Sequence, residues 1–334
     1  MLDTDTFLTA VYTVLDDLYQ AHYAPLRAHT PGQRPTLSDS EVLTLLVAQH
    51  WFQLSERALL RRLRTVWAAL FPTPLSQSAF NRRGRGLSGV LAALVPRLAQ
   101  GLGAQDAAYQ ILDGTPLPLV HCCRAARTRP LHPDCAFGKG GSDRRYYYGC
   151  KLLLAVTPTG TITGFVAGPA STEERWLAEA LLSGRAQPPC AVWQGLRPPH
   201  PRGNGCAYIG PQGPLWPRPG VGVPPPAALG YLGDRGFSGA WWTSHWASAY
   251  GARVVTPREY AAAERRAHQA HASLRQIVET VNDHVATLGV AYLRVRTRWG
   301  LRARVGARLV AHNVGILLNR HYGRPDLAFA TLVT

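Results

Sequence analysis

Negative charge is scarce in this sequence. It has 20 Asp and Glu residues against 36 Lys and Arg residues, which gives a formal net charge of +16 and a pI near 10.2. Such an excess of positive charge predicts a polyanionic partner, because condensed counterions are released when the two associate.

A long apolar run is also lacking. The apolar stretches are interrupted by Arg, His or Pro before they reach the roughly 20 residues that a membrane span needs. Residues 1–5 show no basic segment leading into an apolar one, as a secretory signal would. We therefore expect nucleic acid rather than a membrane as the polyanion, and a cytoplasmic, nucleoid-associated protein.

The CxxC motif is absent, although the chain has six cysteines. A large cytosolic chain has no need of disulfides. His121, Cys122, Cys123, His132 and Cys135 are potential zinc ligands within one short segment, but their spacing is irregular. A zinc site therefore stays open, and free thiols beside a basic loop are the favoured interpretation.

A helical domain is predicted over residues 1–104. Apolar residues recur there at three- and four-residue intervals, and helix starts are expected within 36–41, at Ser55 and at Ser76, where a side chain can cap the first amides. Basic residues on these helices suit helix-turn-helix-like DNA binding, with a solvated face of an ordinary bundle as the alternative. These residues are Arg61, Arg62, Arg64, Arg82, Arg83 and Arg85.

Residues 105–334 predict an α/β catalytic domain. Three strands followed by alternating helices and strands is the order of a ribonuclease H-like mixed sheet flanked by helices. A Pro- and Gly-rich segment at about 184–229 is expected to be an insertion loop. The expected elements are strands at 108–112, 147–156, 161–166, 231–234 and 253–256, and helices at 172–182, 239–250 and 273–287.

Three acids in this domain point to a metal site. Asp113 and Asp234 are each expected at the carboxyl end of a short apolar strand, and Glu279 on a helix with an apolar face. Glu259, Glu264 and Asp283 are the alternatives to Glu279. Mg²⁺ prefers carboxylate oxygens, and two such ions about 3.5–4 Å apart can activate a nucleophile and stabilise a leaving oxygen in phosphodiester cleavage. The sequence thus predicts a site in which these three acids hold Mg²⁺ or Mn²⁺.

The motifs around these acids resemble those of DDE transposases of the IS4/IS5-like superfamily, most closely the IS982-type group. The resemblance implies that Asp113, Asp234 and Glu279 are the catalytic triad of an enzyme that cuts double-stranded DNA at terminal inverted repeats and joins it to target DNA. It also implies a homodimer or higher oligomer on DNA. The likeness covers most of the chain and rests on residues 37–42, 113–117, 149–152, 234–237, Arg275 with Glu279, and 311–313.

One signature is matched only in part. In the Tyr-x2-Arg-x3-Glu-x6-Lys pattern of the related IS4 group, Arg275 and Glu279 match, but Ala272 and Ala286 stand at the Tyr and Lys positions. A DNA-clamping Tyr and Lys are therefore not carried over. Arg275 is left open between a phosphate contact and an i,i+4 partner of Glu279.

Several other basic residues are expected to contact DNA phosphates. Some flank or lie in the Gly-rich segment 137–141, which we interpret as a flexible DNA-contacting loop. For Lys151 the alternative is an ordinary solvent-facing strand residue. The candidates are Lys139, Arg144, Arg145, Lys151, Arg235, Arg275 and Arg298.

Trp241, Trp242 and Trp246 lie at helical spacing. We expect them to pack in the core, with base stacking as the alternative.

Two other functions remain open. A glycoside hydrolase also uses paired carboxylates, but in an acidic, aromatic-lined cleft, which the net charge of +16 disfavours. A transposase-derived DNA-binding protein with a decayed site is the second, and the intact triplet argues against it.

Overall fold

The protein is a mixed α/β structure in which helices precede and flank a mixed sheet. The computed structural model describes residues 1–27, 35–73, 75–129, 131–132, 134–140, 145–186, 230–257, 265–289, 293 and 295–333. The first helices are α1 (Thr4–His22), α2 (Ala24–Arg27), α3 (Asp39–Trp51), α4 (Glu56–Thr65), α5 (Gln77–Gly86) and α6 (Ser88–Gly101).

Serine side chains cap α3, α4 and α5, as the sequence predicts. Ser38 accepts a hydrogen bond from the backbone N–H of Glu41 at 3.1 Å, and the Glu41 carboxylate accepts one from the N–H of Ser38. Ser55 and Ser76 each accept one from an amide of the first turn at 3.2 Å. Each cap satisfies an amide that has no partner within its helix.

The described strands form one sheet in the order β2-β3-β1-β5-β6, with β4 also paired to β3. β2, β1 and β4 run antiparallel to β3, whereas β1, β5 and β6 run parallel to one another. The elements after α6 are β1 (Gln110–Val120), α7 (Cys122–Thr128), β2 (Ala136–Gly140), β3 (Arg145–Val156), β4 (Ile162–Pro169), α8 (Glu174–Ala186), β5 (Gly230–Leu232), α9 (Ala240–Tyr250), β6 (Arg253–Val255), α10 (Arg265–Thr287) and α11 (Arg298–His321).

Helices cover both faces of this sheet. Ile111 and Leu154 belong to an apolar cluster shared with the N-terminal helices, α10 and α11. Leu112 and Leu153 belong to a second cluster, shared with α8 and α9. This alternation follows from the two-residue period of a strand. The N-terminal helices therefore share one core with the sheet.

The strand that carries Asp113 is longer than predicted. The sequence places Asp113 at the end of a strand at 108–112, but β1 continues to Val120 and pairs with β3 throughout. β5 pairs only with Gln110 and Ile111, so beyond that point no strand of the described residues pairs with this edge of β1. Pro116 and Pro118 fit there because a proline lacks only the amide donor that would face a neighbouring strand.

The Gly-rich segment expected to be a flexible loop is strand β2. Its Lys139 pairs in register with Tyr146 of β3. A Cβ on Gly138 would lie 2.5 Å from the carbonyl oxygen of Ala170, so glycine permits this close approach of two backbones. The predicted insertion falls at 187–229, outside the described residues, since α8 extends to Ala186.

Two histidines and an asparagine join α10 and α11 to the turn between β3 and β4. His312 Nε2 lies 2.9 Å from the carbonyl oxygen of Gly160, and its Nδ1 lies 2.8 Å from His284 Nδ1. Asn313 accepts from the N–H of Ile162 and donates to the carbonyl of the same residue. We call His284 and His312 the histidine cluster. Burial lowers the pKa of His284 to about 3 and that of His312 to about 4.

None of the helices in the described ranges combines the length and the apolar character that crossing a membrane requires.

Candidate functional site

Asp113 lies on β1, and Asp234 lies two residues after the end of the neighbouring parallel strand β5. Gln110 and Ile111 of β1 pair with Tyr231 and Leu232 of β5. Continuing that register by two residues brings Asp113 opposite Asp234. The structure thus brings together two of the three predicted acids.

Two residues of α10 hold the Asp113 carboxylate. Arg275 Nη2 donates to Oδ1 at 2.8 Å, and Asn282 Nδ2 donates to Oδ2 at 2.6 Å. The pKa of Asp113 is nevertheless raised to about 6, chiefly by burial and further by the charges of Asp234 and Glu174, against the lowering effect of Arg275. This carboxylate is therefore short of positive charge.

Asp234 organises the turn after β5. Its Oδ1 accepts a hydrogen bond from the N–H of Gly236 at 2.7 Å, within a single 3₁₀ turn, Arg235–Phe237. Its charge raises the pKa of both Asp113 and Glu174. Asp234 thus repels both Asp113 and Glu174.

Glu174, the first residue of α8, is a third acid that the sequence analysis did not place at the site. Burial is the largest cause of its raised pKa, and repulsion by Asp234 comes next. Lys151 Nζ lies 3.6 Å from Glu174 Oε1 and partly offsets this effect. We call Asp113, Glu174 and Asp234 the carboxylate cluster.

Two glycines make room for the Glu174 carboxylate. A Cβ on Gly114 would lie 2.8 Å from Glu174 Oε1. A Cβ on Gly236 would collide with Glu174 Oε2 and lie 2.9 Å from Asp234 Oδ1. Any larger residue at either position would push Glu174 away from the aspartates.

Glu279 has a different environment. It is exposed on α10, four residues after Arg275 and three before Asn282. With 3.6 residues per turn, this spacing puts Glu279 on the side of the helix that faces Asp113. The predicted third acid therefore flanks the carboxylate cluster without being buried in it.

Of the two roles predicted for Arg275, the ion pair with Glu279 is not formed, and the phosphate contact stays a prediction. Its guanidinium pairs with Asp113 rather than with Glu279. One turn earlier on the same helix, His271 Nε2 lies 2.9 Å from the carbonyl oxygen of Gly233, the residue before Asp234. α10 thereby contacts the segments that carry both aspartates.

The donor set suits a hard cation such as Mg²⁺, because it consists of carboxylate and amide oxygens. Within the described ranges, Asn282 Oδ1 and Arg275 Nε are buried without a hydrogen-bond partner. Among the same residues, no group of three or more His, Cys, Asp or Glu side chains is arranged to hold a metal ion as it stands. The reason is that α10 holds Asp113 on one face of the sheet, whereas Glu174 approaches from the other.

The predicted phosphate-binding residues are scattered. Lys151 neutralises Glu174, so it is not simply solvent-facing. Arg235 is exposed beside Asp234, and Lys139 is exposed with its Nζ 4.9 Å from the Tyr146 ring centroid. Arg298 pairs with Asp134 at the start of α11. Arg144 and the side chain of Arg145 lie outside the described residues.

The N-terminal arginines divide into two groups. Arg83 is structural, since it pairs with Asp39 at 2.7 Å and donates to the carbonyl of Leu37. Arg61, Arg62, Arg64 and Arg82 are exposed. DNA binding by this exposed group stays a prediction.

The cysteine segment does not form a metal site in the described residues. Cys135 is buried with its Sγ 3.2 Å from that of Cys150 on β3. Cys122 Sγ donates to the carbonyl of Tyr146, and Cys123 is exposed.

In the sequence, Glu173 and Glu174 at the start of α8 look like acids that stabilise a helix N-terminus. A signal for Glu174 did exist, because each aspartate is followed closely by glycine, at Gly114 and Gly236. Small residues next to two acids leave space for a third group. Asn282 gave no such signal.

Comparison of the chain with protein-family models, with curated proteins and with solved structures gave no match.

Proposed function

We propose that this chain is a DDE-type transposase, a metal-dependent enzyme that cuts double-stranded DNA at terminal inverted repeats and transfers the strands to target DNA. The observation that carries the proposal is the approach of Asp113 and Asp234 from adjacent parallel strands, with the repulsion that Asp234 adds to the raised pKa of Asp113. The carboxylates repel each other although the chain has a net charge of +16. Such repulsion is typical of a site that binds cations.

The sheet supports a ribonuclease H-like catalytic unit. Without β2, the strand order is β4-β3-β1-β5-β6, with the first three strands antiparallel and the last two parallel to β1. This is the order expected for such a fold, with Asp113 on its central strand and Asp234 just after the adjacent one.

Mg²⁺ or Mn²⁺ would be held by Asp113, Asp234 and a glutamate, where it activates the attacking oxygen and stabilises the leaving one. In the protein alone, Arg275 and Lys151 offset the negative charge of the cluster. Arg275, whose planar fork of donors suits a phosphate, would contact the DNA backbone beside Asp113.

Glu279 is the glutamate that we assign as third ligand. It lies one turn from both Arg275 and Asn282, on the helix that already holds Asp113, and its exposed side chain has no buried contact to give up. Glu174 then has a supporting role, because Lys151 already partners its carboxylate.

Exposed arginine side chains support double-stranded DNA as the partner. Arg235 beside Asp234 and the exposed arginines of α4 and α5 would contact the phosphates of double-stranded DNA. Two transposon ends must be held together, so the active form is a homodimer or higher oligomer, acting in the cytoplasm at the nucleoid.

The test is a cleavage and joining assay with the full chain. A supercoiled plasmid carrying the DNA that flanks the coding region on both sides in its genome is incubated with Mg²⁺, and nicked, linear and joined products are quantified. Asp234→Asn and Glu279→Gln should each slow cleavage by roughly a hundredfold or more, and Glu174→Gln by about tenfold. Asp283→Asn is the matched control, because this exposed acid on α10 has no assigned role.

Wild-type rates in Asp234→Asn would refute the transposase proposal. A larger loss in Glu174→Gln than in Glu279→Gln would refute only the choice of third ligand and assign that role to α8.

A further inference from the structure

An aromatic surface lies next to the carboxylate cluster. Trp176 on α8 is 52% exposed and Trp241 on α9 is 65% exposed. Both rings meet the ring of Trp242, with centroid distances of 4.9 Å in each case and nearly perpendicular planes. We call Trp176, Trp241 and Trp242 the tryptophan surface.

The core-packing interpretation of the α9 tryptophans is confirmed for Trp246 and for the partly buried Trp242, which packs against the same apolar cluster, but not for Trp241. Trp246 is fully buried, and its indole N–H donates to Glu179 at 2.9 Å. Trp241 faces outward and stacks on His245 with a centroid distance of 4.9 Å and an interplanar angle of 10°. Neighbouring rings hold Trp241 and Trp176, so these exposed side chains lose little freedom on binding a ligand.

The two segments that carry Glu174 and Asp234 continue along the chain to the residues of the tryptophan surface. Trp176 follows Glu174 by two residues within the first turn of α8. Asp234 is followed by its 3₁₀ turn and then by α9, whose second residue is Trp241. The tryptophan surface is therefore close in the chain to both Glu174 and Asp234, within reach of the nucleotides next to one bound at the carboxylates.

The charge around the tryptophan surface suits a polyanion. Arg175 lies between Glu174 and Trp176, and Arg235 is exposed beside Asp234. The sequence of α9 contains no acid, and its exposed positions beyond Trp241 are small residues. Glu173 is the nearby exposed acid, and it pairs with Arg175 at 2.8 Å.

We propose that the tryptophan surface stacks the unpaired bases of a DNA strand engaged at the carboxylate cluster. An exposed indole offers a flat face, and base stacking on such faces accepts any sequence. Bases inside a duplex already stack on one another, so only unpaired ones present a face. The proposal rests on the transposase function for its location, but the binding that it claims needs neither metal nor cleavage.

The experiment measures binding to the full chain in EDTA, by fluorescence anisotropy of a labelled oligothymidylate and of a labelled duplex of equal length. Trp176→Ala combined with Trp241→Ala should weaken oligothymidylate binding by about tenfold or more and change duplex binding by less than about twofold. Trp241→Phe, which keeps a ring, should retain most of the affinity.

Tyr322→Ala is the matched control, since this aromatic residue at the end of α11 is 42% exposed, and it should bind as wild type does. Unchanged oligothymidylate affinity in the double variant, or an equal loss on duplex, would overturn the proposal. So would a fall in molecular mass by analytical ultracentrifugation, which would make this surface an interface between copies. Cleavage is not measured, so these outcomes leave the test of Asp234→Asn independent.

Discussion

Helix α10 touches two buried polar clusters that differ in how well their groups are paired. Near its middle, Arg275 and Asn282 contact the carboxylate cluster, in which three acids share two cations and buried polar atoms lack partners among the described residues. Near its end, His284 contacts His312, which in turn contacts Gly160, so neutral groups form a continuous chain of hydrogen bonds.

This difference is what we expect between a structural polar cluster and the proposed metal site. The histidine cluster is neutral and needs nothing further to be stable. The acids of the carboxylate cluster repel one another, and other side chains at these positions would not do so. Such unfavourable interactions are expected where a ligand binds. Four measurements test this contrast.

Loss of His312 should have the largest effect. His312→Ala removes two hydrogen bonds, leaves His284 and the Gly160 carbonyl without their partner and opens a cavity, so we expect a loss of about 3 kcal/mol in the free energy of unfolding. Urea denaturation at neutral pH measures it. His321→Ala, at the exposed end of the same helix, should be neutral, and a small effect in both variants would show that the histidine cluster is not structural.

In the absence of metal, the carboxylate cluster should make the folded protein more stable at low pH than at neutral pH. The pKa of Asp113 is raised from 3.8 to about 6, so the folded state binds its proton more tightly. Stability from this group is fully present below pH 3.8 and is lost as the pH rises through about 6, by at most about 3 kcal/mol.

Asp113→Asn should therefore be more stable than wild type in EDTA at pH 7, and the difference should shrink toward pH 4. Urea denaturation of both proteins across this range gives the comparison. A difference that is constant with pH would contradict the raised pKa.

The histidine cluster should show the opposite dependence. The pKa of His284 falls from 6.5 to about 3, so its neutral form stabilises the fold above pH 6.5, and that stability is lost as the pH falls toward 3. One such histidine costs about 2 kcal/mol at pH 5. His284→Asn should flatten the decrease in unfolding free energy between pH 7 and pH 5, and an unchanged slope would assign the effect to other groups.

The two glutamates should differ in their effect on stability. Glu174→Gln removes one of three repelling charges from a buried position and should raise the free energy of unfolding in EDTA by about 1 kcal/mol. Glu279→Gln should change nothing, because the side chain is exposed. If both variants changed the melting temperature by the same amount, the contrast between Glu174 on α8 and Glu279 on α10 would be refuted.

Local signals in the sequence predicted most of the fold. Ser38, Ser55 and Ser76 define their helix starts by a capping chemistry that depends on a few neighbouring residues. β3 and β4 follow from apolar runs around the turn that ends at Gly160, whose φ is +87°. The predicted domain boundary at 104 falls between α6 and β1, although an apolar core is shared across it.

Features that depend on distant partners were not predictable. The prolines of β1 look like a strand end until β5 is known to stop short of them. Glu174 looks like a helix-start residue until α8 is packed beside Gly114 and Gly236. For the site, the sequence indicated both aspartates, but which glutamate joins them depends on the helices that approach from either face.

The edge of β1 that no described strand pairs with has a consequence for the solubility of the protein at high concentration. Unpaired strand edges invite strands of other molecules, which is a common route to aggregation. Here Pro116 and Pro118 remove the amide donors that such a strand would need, and the N–H of Leu293 already occupies the Pro118 carbonyl at 3.2 Å. The prolines of β1 therefore make this edge a poor template for adding a further strand.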